Sequence, residues 1–200
     1  QVAYSRKGVT PAPQKVDSSD SIENVQSILV SAQRFCDQII NEANNALQYI
    51  LDNNNQHLVI LGSILELNGA LYNVAYVIQG NKILGIIPKT NLVRNNEFND
   101  PRYFTSGEEF IENMRIITVL GQDVPIGSMI FTSDDKNVSF GVEVCADAWG
   151  VTPLNSLLYK NGAEIVFKTP PCAPLTKFCP VHFNLLPKEV SAFIHFVFLI

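Results

Sequence analysis

Two short segments hold the residues of this sequence best suited to chemistry. Across residues 138–145, Val138, Phe140, Val142 and Val144 alternate with Ser139, Gly141, Glu143 and Cys145, the period-two pattern of a β-strand with two distinct faces. The alternation stops at Ala146-Asp147-Ala148-Trp149-Gly150, so Cys145 stands where a strand gives way to a turn. A thiol displayed at such a junction is reachable by substrate and can lie near backbone N–H groups that hold a developing oxyanion. The same cysteine also fits a buried, inert thiol, the commonest fate of a free cysteine, and the segment alone leaves both readings open. The second segment is centred on Lys89, which follows an apolar run and Pro88. A lysine closing a strand can aim its ammonium into a cleft and stabilise an oxyanion, or it can simply be solvated, as most lysines are.

Taken with their surroundings, these residues resemble a known family. Gly141-Val142-Glu143-Val144-Cys145-Ala146-Asp147-Ala148-Trp149 resembles the G-V-E-I-C-E-D-L-W nucleophile motif of nitrilase-superfamily (carbon-nitrogen hydrolase) domains. Pro88-Lys89-Thr90-Asn91-Leu92, followed by Asn96-Glu97-Phe98-Asn99-Asp100-Pro101-Arg102-Tyr103-Phe104, resembles a lysine motif of one branch, P-K-T-x-L-P-N-Y-x-x-F-x-E-x-R-Y-F. That branch is the glutaminase domain of glutamine-dependent NAD synthetases. Leu65-Glu66-Leu67-Asn68-Gly69-Ala70-Leu71-Tyr72-Asn73 is similar to the strand pair preceding its lysine. The resemblance covers residues 40–167.

The resemblance implies an α/β fold, the nitrilase-like αββα sandwich, and an amidase that hydrolyses the side-chain amide of glutamine. It implies Cys145 as nucleophile, Lys89 as oxyanion stabiliser, and Asp100 and Glu143 in support, with neither metal nor cofactor in this domain. A general base is required because a free thiol, with a pKa of about 8.5, is mostly protonated at neutral pH. In the family the ammonia passes to a synthetase domain, a ligase that amidates deamido-NAD with ATP. That domain's S-G-G-x-D-S pyrophosphate loop does not occur in this sequence, so ATP and deamido-NAD are expected to bind elsewhere. The expected partners are glutamine and a further copy of the chain. A stand-alone nitrilase-type amidase and a catalytically inactive remnant are the two other readings.

The departures from the family pattern support the last of these. The family's base Glu closes a strand in an F-P-E-L motif between its first and second helices, and nothing here matches it. Between Ile22 and Leu47 the acids are Glu23, Asp37 and Glu42, none of them after an apolar strand and Pro, so the general base is unassigned. Asp100 replaces the supporting Glu of the lysine motif, and Ala146 replaces the Glu after the nucleophile. Where the family has Pro-Asn-Tyr, this chain reads Val93-Arg94-Asn95-Asn96. After Gly162-Ala163-Glu164-Ile165-Val166-Phe167 the family continues N-L-S-A-S, but this chain reads Lys168-Thr169-Pro170-Pro171-Cys172. A shifted reading frame or altered terminus would produce such a break. The expected organisation is therefore a partial hydrolase domain over residues 1–167 and an unaligned tail over residues 168–200. The sandwich is expected to be incomplete, its second strand and C-terminal part missing or altered.

The elements that must position these residues can be read from periodicity. From Asp20, apolar residues recur every three or four positions from Ile22 through Leu51, with no Pro or Gly to interrupt them. This predicts one long helix, with Ser19 or Asp20 as its cap. Residues 58–63 predict a buried strand. Residues 71–78 and 82–87 predict two more, joined by a Gly80-Asn81 turn. Residues 2–5 suggest a short first strand, 91–107 a loop, and 119–130 a small hairpin. Alternating strands and helices around apolar runs predict a layered α/β protein.

Composition narrows the remaining possibilities. The 200 residues carry 14 Lys and Arg against 19 Asp and Glu, a formal net charge of −5, with no basic block. Nucleic acid is accordingly a poor partner. No apolar run approaches the about 20 residues that span a bilayer, and residues 1–19 do not read as a signal peptide. The chain starts at Gln1, as a segment of a longer protein would. Four irregularly spaced cysteines point to free thiols in a reducing cytoplasm. Cys172, Cys179 and His182 do not have zinc-site spacing.

Overall fold

A computed structural model describes residues 22–95, 98–134, 138–169 and 197–199, and the chain divides into two units, Gln1–Ile39 and Ile40–Ile200. The described part of the first unit is helical. Helix α1 runs Ile22–Asn53, 32 residues without a break, as the uninterrupted apolar spacing predicts. Within it Leu29, Val30 and Phe35 are exposed, and full burial begins only at Ala43. The strand expected at residues 2–5 and the caps expected at Ser19 or Asp20 lie outside the described residues.

The second unit is a mixed α/β body. β1 (Leu58–Leu67), β2 (Ala70–Gln79) and β3 (Lys82–Pro88) run as an antiparallel meander. Its first turn is Asn68-Gly69 with φ of 53° and 79°, the left-handed pair that a two-residue hairpin requires and that Asn and Gly tolerate. The chain then passes through β4 (Arg94–Asn95) paired with β5 (Phe98–Asn99), a 3₁₀ turn at Asp100–Arg102 and the one-turn helix α2 (Glu109–Glu112). The hairpin β6 (Arg115–Val119) and β7 (Gln122–Ile126) follows, with β7 joining β3 in parallel at Ile86 and Ile126. This hairpin begins and ends earlier than the sequence suggests. Four of the five β6 residues are at least partly exposed, so the edge strand shows no buried period to read.

A second sheet holds β8 (Ile130–Thr132), β9 (Ser139–Val144) and β10 (Ile165–Thr169) in the order β10-β9-β8. Helix α3 (Leu154–Lys160) connects β9 to its parallel neighbour β10. β10 extends to Thr169, beyond the Lys168 break in family resemblance. β11 (Val197–Leu199) pairs antiparallel with β1 and completes the larger sheet, β11-β1-β2-β3-β7-β6.

Three apolar clusters define the layers. Leu47, Ile50 and Leu51 of α1 pack on one face of the larger sheet with Val59, Leu61, Val74 and Tyr76. The other face presents Ile60, Ala75, Val77 and Ile87 to Phe140, Val142 and Val144 of the smaller sheet. Leu154 and Leu158 of α3 cover the far side with Ile130 and Val166. Each fully buried side chain of this kind contributes about 1.5–3 kcal/mol.

One irregularity matters for the site. The β2–β3 register shifts between Val77 and Ile78, where Val77 pairs with Gly85 and Ile78 with Ile83. Leu84 is therefore an extra residue, a β-bulge. Before it, Ile83 belongs to the helix-side cluster; after it, Ile86 does, and Ile87 faces the smaller sheet. Without the bulge, residues 83 and 89 would share a face. With it, the position of Lys89 follows Ile87 toward the space between the sheets.

Candidate active site

The nucleophile candidate sits at the end of β9, where the 3₁₀ turn Cys145–Trp149 begins. Cys145 has φ of +50°, a left-handed conformation uncommon for a non-glycine residue and characteristic of functional positions. This turn changes what strand parity suggests. Parity groups Cys145 with Glu143, on the face opposite Val142 and Val144. The left-handed residue redirects the chain, and Cys145 packs, half-buried, against the inter-sheet cluster that contains Val142 and Val144.

Lys89 continues the β3 ladder by one bond, donating its N–H to the Asn73 carbonyl at 2.8 Å. Its side chain is only 3% exposed and forms an ion pair with Asp100, Nζ to Oδ2 2.5 Å. A lysine buried this deeply requires such a partner. Asp100 Oδ2 also accepts the Val93 N–H at 3.0 Å, which folds the loop back over the lysine. Burial pushes the Cys145 thiol above its ordinary pKa. Lys89 opposes that shift, Asp100 adds to it, and Lys168 and the Ala146 N–H oppose it. Cys145, Lys89 and Asp100 thus share one electrostatic neighbourhood.

Glu143 is placed differently. Its side chain is turned to α3, accepting from Asn155 N–H at 3.2 Å and from Asn155 Nδ2 at 3.4 Å. Gly141, on the same face, lies against Leu158 of α3. Burial raises the pKa of Glu143 despite the Asn155 contacts. The Glu143 carboxylate is therefore engaged with the start of α3. Of the acids considered as substitutes for the base, Asp37 and Glu42 are exposed on α1, and Glu23 lies outside the described side chains.

Two residues join this neighbourhood without having been singled out from sequence. Lys168 pairs with Glu143 across β9 and β10, and its Nζ lies 4.4 Å from the centroid of the exposed Trp149 ring. Its departure from the family's Asn was visible, but its location depends on the parallel pairing. Asp147, 2% exposed, is the second. Its Oδ1 accepts Thr90 N–H at 3.0 Å, Thr90 Oγ1 at 2.9 Å and Asn91 N–H at 2.6 Å. Among the described residues no cluster of His, Cys, Asp and Glu could hold a metal ion, and no helix is long and apolar enough to cross a membrane. Cys172, Cys179 and His182 lie outside the described residues.

No family model matches this chain. It is similar to the glutamine-dependent NAD(+) synthetase of Thermotoga maritima, 28% identical over 113 residues, which is 56% of this chain and 16% of that protein. In structure it is similar to a glutamine-dependent NAD(+) synthetase from Cytophaga hutchinsonii, with a TM-score of 0.50 at 19% identity, covering 63% of this chain and 20% of that one. The glutamine-dependent NAD+ synthetase from Acinetobacter baumannii gives a TM-score of 0.42 at 22% identity, covering 64% and 20%. At these identities the likeness to the Cytophaga structure speaks to fold alone. The chain spans a fifth or less of the length of these relatives. The Thermotoga protein bears the name of the family whose motifs the segments around Cys145 and Lys89 resemble.

Proposed function

We propose that this chain carries the amide-hydrolysing site of a glutaminase domain, on a nitrilase-like αββα sandwich that lacks one strand of the family pattern. The observation that supports it is the convergence of a half-buried thiol at a strand-to-turn junction with the buried Lys89–Asp100 pair. In this reading Asp100 takes the thiol proton, and Cys145 Sγ adds to the side-chain amide carbon of glutamine. The carbonyl electron pair moves to oxygen, where the Lys89 ammonium and the backbone N–H of Ala146 stabilise it. Collapse of the adduct, with the proton passed from Asp100 to the amide nitrogen, expels ammonia and leaves a thioester, which water cleaves to glutamate, restoring the thiol. The ammonia serves a synthetase domain that amidates deamido-NAD with ATP, a step outside these residues.

A second reading, the inactive remnant, is favoured by one observation. The carboxylate nearest in effect to the thiol is already tied to Lys89, and losing a positioned base costs on the order of 10²–10⁴ in rate. Glutamate release from glutamine, with labelling of Cys145 by the glutamine-like electrophile 6-diazo-5-oxonorleucine, decides between them. Turnover and labelling that both disappear in Cys145→Ala are expected; folded protein that neither turns over nor labels would overturn the enzyme reading. A panel of other small amides separates glutamine preference from a stand-alone amidase.

A further inference from the structure

The segment after Lys89 and the segment after Cys145 are joined directly. Thr90 and Asn91 donate three hydrogen bonds, of 2.6 to 3.0 Å, to the single oxygen Oδ1 of Asp147. A fourth bond runs parallel to them, from Asn91 Nδ2 to the Ala146 carbonyl at 2.8 Å. The lysine segment is also held from its other side, where Ser106 Oγ donates to the Thr90 carbonyl at 2.7 Å and the Gly107 N–H to the Lys89 carbonyl at 2.9 Å. Asp147 is 2% exposed, and among the described residues its Oδ2 has no hydrogen-bond partner. Leaving a buried carboxylate oxygen bare is costly, and the site keeps it there. The three donors on Oδ1 are what this placement gains.

We infer that Asp147 is a positioning residue that sets the Lys89 ammonium against the Cys145 thiol by clamping the segment that follows the lysine to the turn that follows the cysteine. Two of the three donors to Oδ1 are backbone N–H groups. Asp147 lies two residues past the nucleophile in the same 3₁₀ turn, and its partners are the two residues after the lysine. A change of an ångström in this connection would move the cation relative to the sulfur, the error that positioned charges tolerate least. Asp147 holds the lysine segment through hydrogen bonds, and this geometric link is the route of its influence on the thiol.

The test compares two alkylating agents at Cys145, iodoacetate and iodoacetamide, with peptide-resolved mass spectrometry separating Cys145 from the other thiols. Both reagents consume the same thiolate, so their rate ratio cancels thiolate fraction and reports the positive potential felt by the anionic reagent. Lys89→Met is expected to lower the ratio about threefold, the effect of one charge about 6 Å away in water. Asp147→Ala is expected to lower it to the Lys89→Met value. Asp147→Asn, which keeps the Oδ1 acceptor, is expected to retain the wild-type ratio. Thr90→Val, which removes one of the three bonds, is expected to fall between them and serves if Asp147→Ala does not fold. A folded Asp147→Ala or Thr90→Val protein with the wild-type ratio, whatever its melting temperature, would overturn the inference. The inference refines the proposed site, but its readout needs no amide turnover, so the two can fail separately.

Discussion

At the residue scale, the centre of the molecule is a thiol whose neighbours pull it in opposite directions. Burial raises its pKa, and Lys89, the larger of the opposing influences, lowers it. The alkylation rate of Cys145 is therefore expected to keep climbing past pH 9.0, above where an ordinary thiol is half ionised; a plateau below that pH would show a thiolate stabilised more strongly than its surroundings allow. Lys89→Met removes the cation from a pair in which both members are largely buried, leaving Asp100 without its counter-charge. Breaking such a pair typically costs about 3 kcal/mol. Denaturant unfolding should show that loss, and under the proposed function turnover should fall about 10²-fold or more. Glu143 and Asp147 add a pH dependence of their own. Burial holds both above their ordinary values of 4.5 and 3.8, so the folded chain binds these protons more tightly than the unfolded chain does. Their contribution to stability is largest below the ordinary values and is lost as pH rises through the raised, folded ones. Glu143→Gln should flatten the rise in unfolding free energy on acidification; an unchanged slope would remove Glu143 from that account.

At the element scale, the β-bulge at Leu84 and the glycine beside it govern how the two sheets meet. A Cβ at Gly85 would lie 2.5 Å from Met129 Sδ and 3.0 Å from Phe131 Cζ. Both neighbours line the inter-sheet cluster on which Cys145 packs. Gly85→Ala should therefore destabilise the fold by about 1–3 kcal/mol, the usual cost of overpacking, as measured by urea unfolding. It should also loosen the sheet spacing around Cys145, raising the rate of alkylation by uncharged iodoacetamide. A neutral effect on stability would mean that Met129, a flexible side chain, can move aside without cost. The helical portion of this scale was legible in advance: apolar residues every three or four positions specified α1. The parallel partnership of β9 and β10 was not, because nothing local to either strand encodes which neighbour it takes.

At the scale of the whole molecule, the chain combines a layered α/β unit with a long helix that is exposed over residues 29–38. Residues 29–38 are all exposed, and burial begins at Ala43, near the point where family resemblance resumes. A chain starting at Ile39 is therefore expected to unfold at nearly the same urea concentration and with nearly the same slope as the full chain. A clear drop in either would show that the preceding residues contribute to the cooperative unit.

Sequence alone determined much of the local structure. The Gly80-Asn81 turn, the apolar alternation and Pro88 marked strand ends, and the last two placed Cys145 at a junction and Lys89 at a strand terminus. Family motifs supplied the chemistry expected of both. Tertiary structure decided which of these residues meet. The Leu84 bulge turned Lys89 to the inter-sheet side, and the left-handed backbone at Cys145 carried its thiol to the same space. Glu143 went instead to α3, while Asp100 closed over the lysine and Asp147 tied the two segments together. The physical reason is the range of each interaction. Periodicity and turn preference act over a few residues and are written in them. A one-residue register shift, a buried ion pair and a clamp between positions 90 and 147 depend on partners distant in sequence, which only the folded chain brings together.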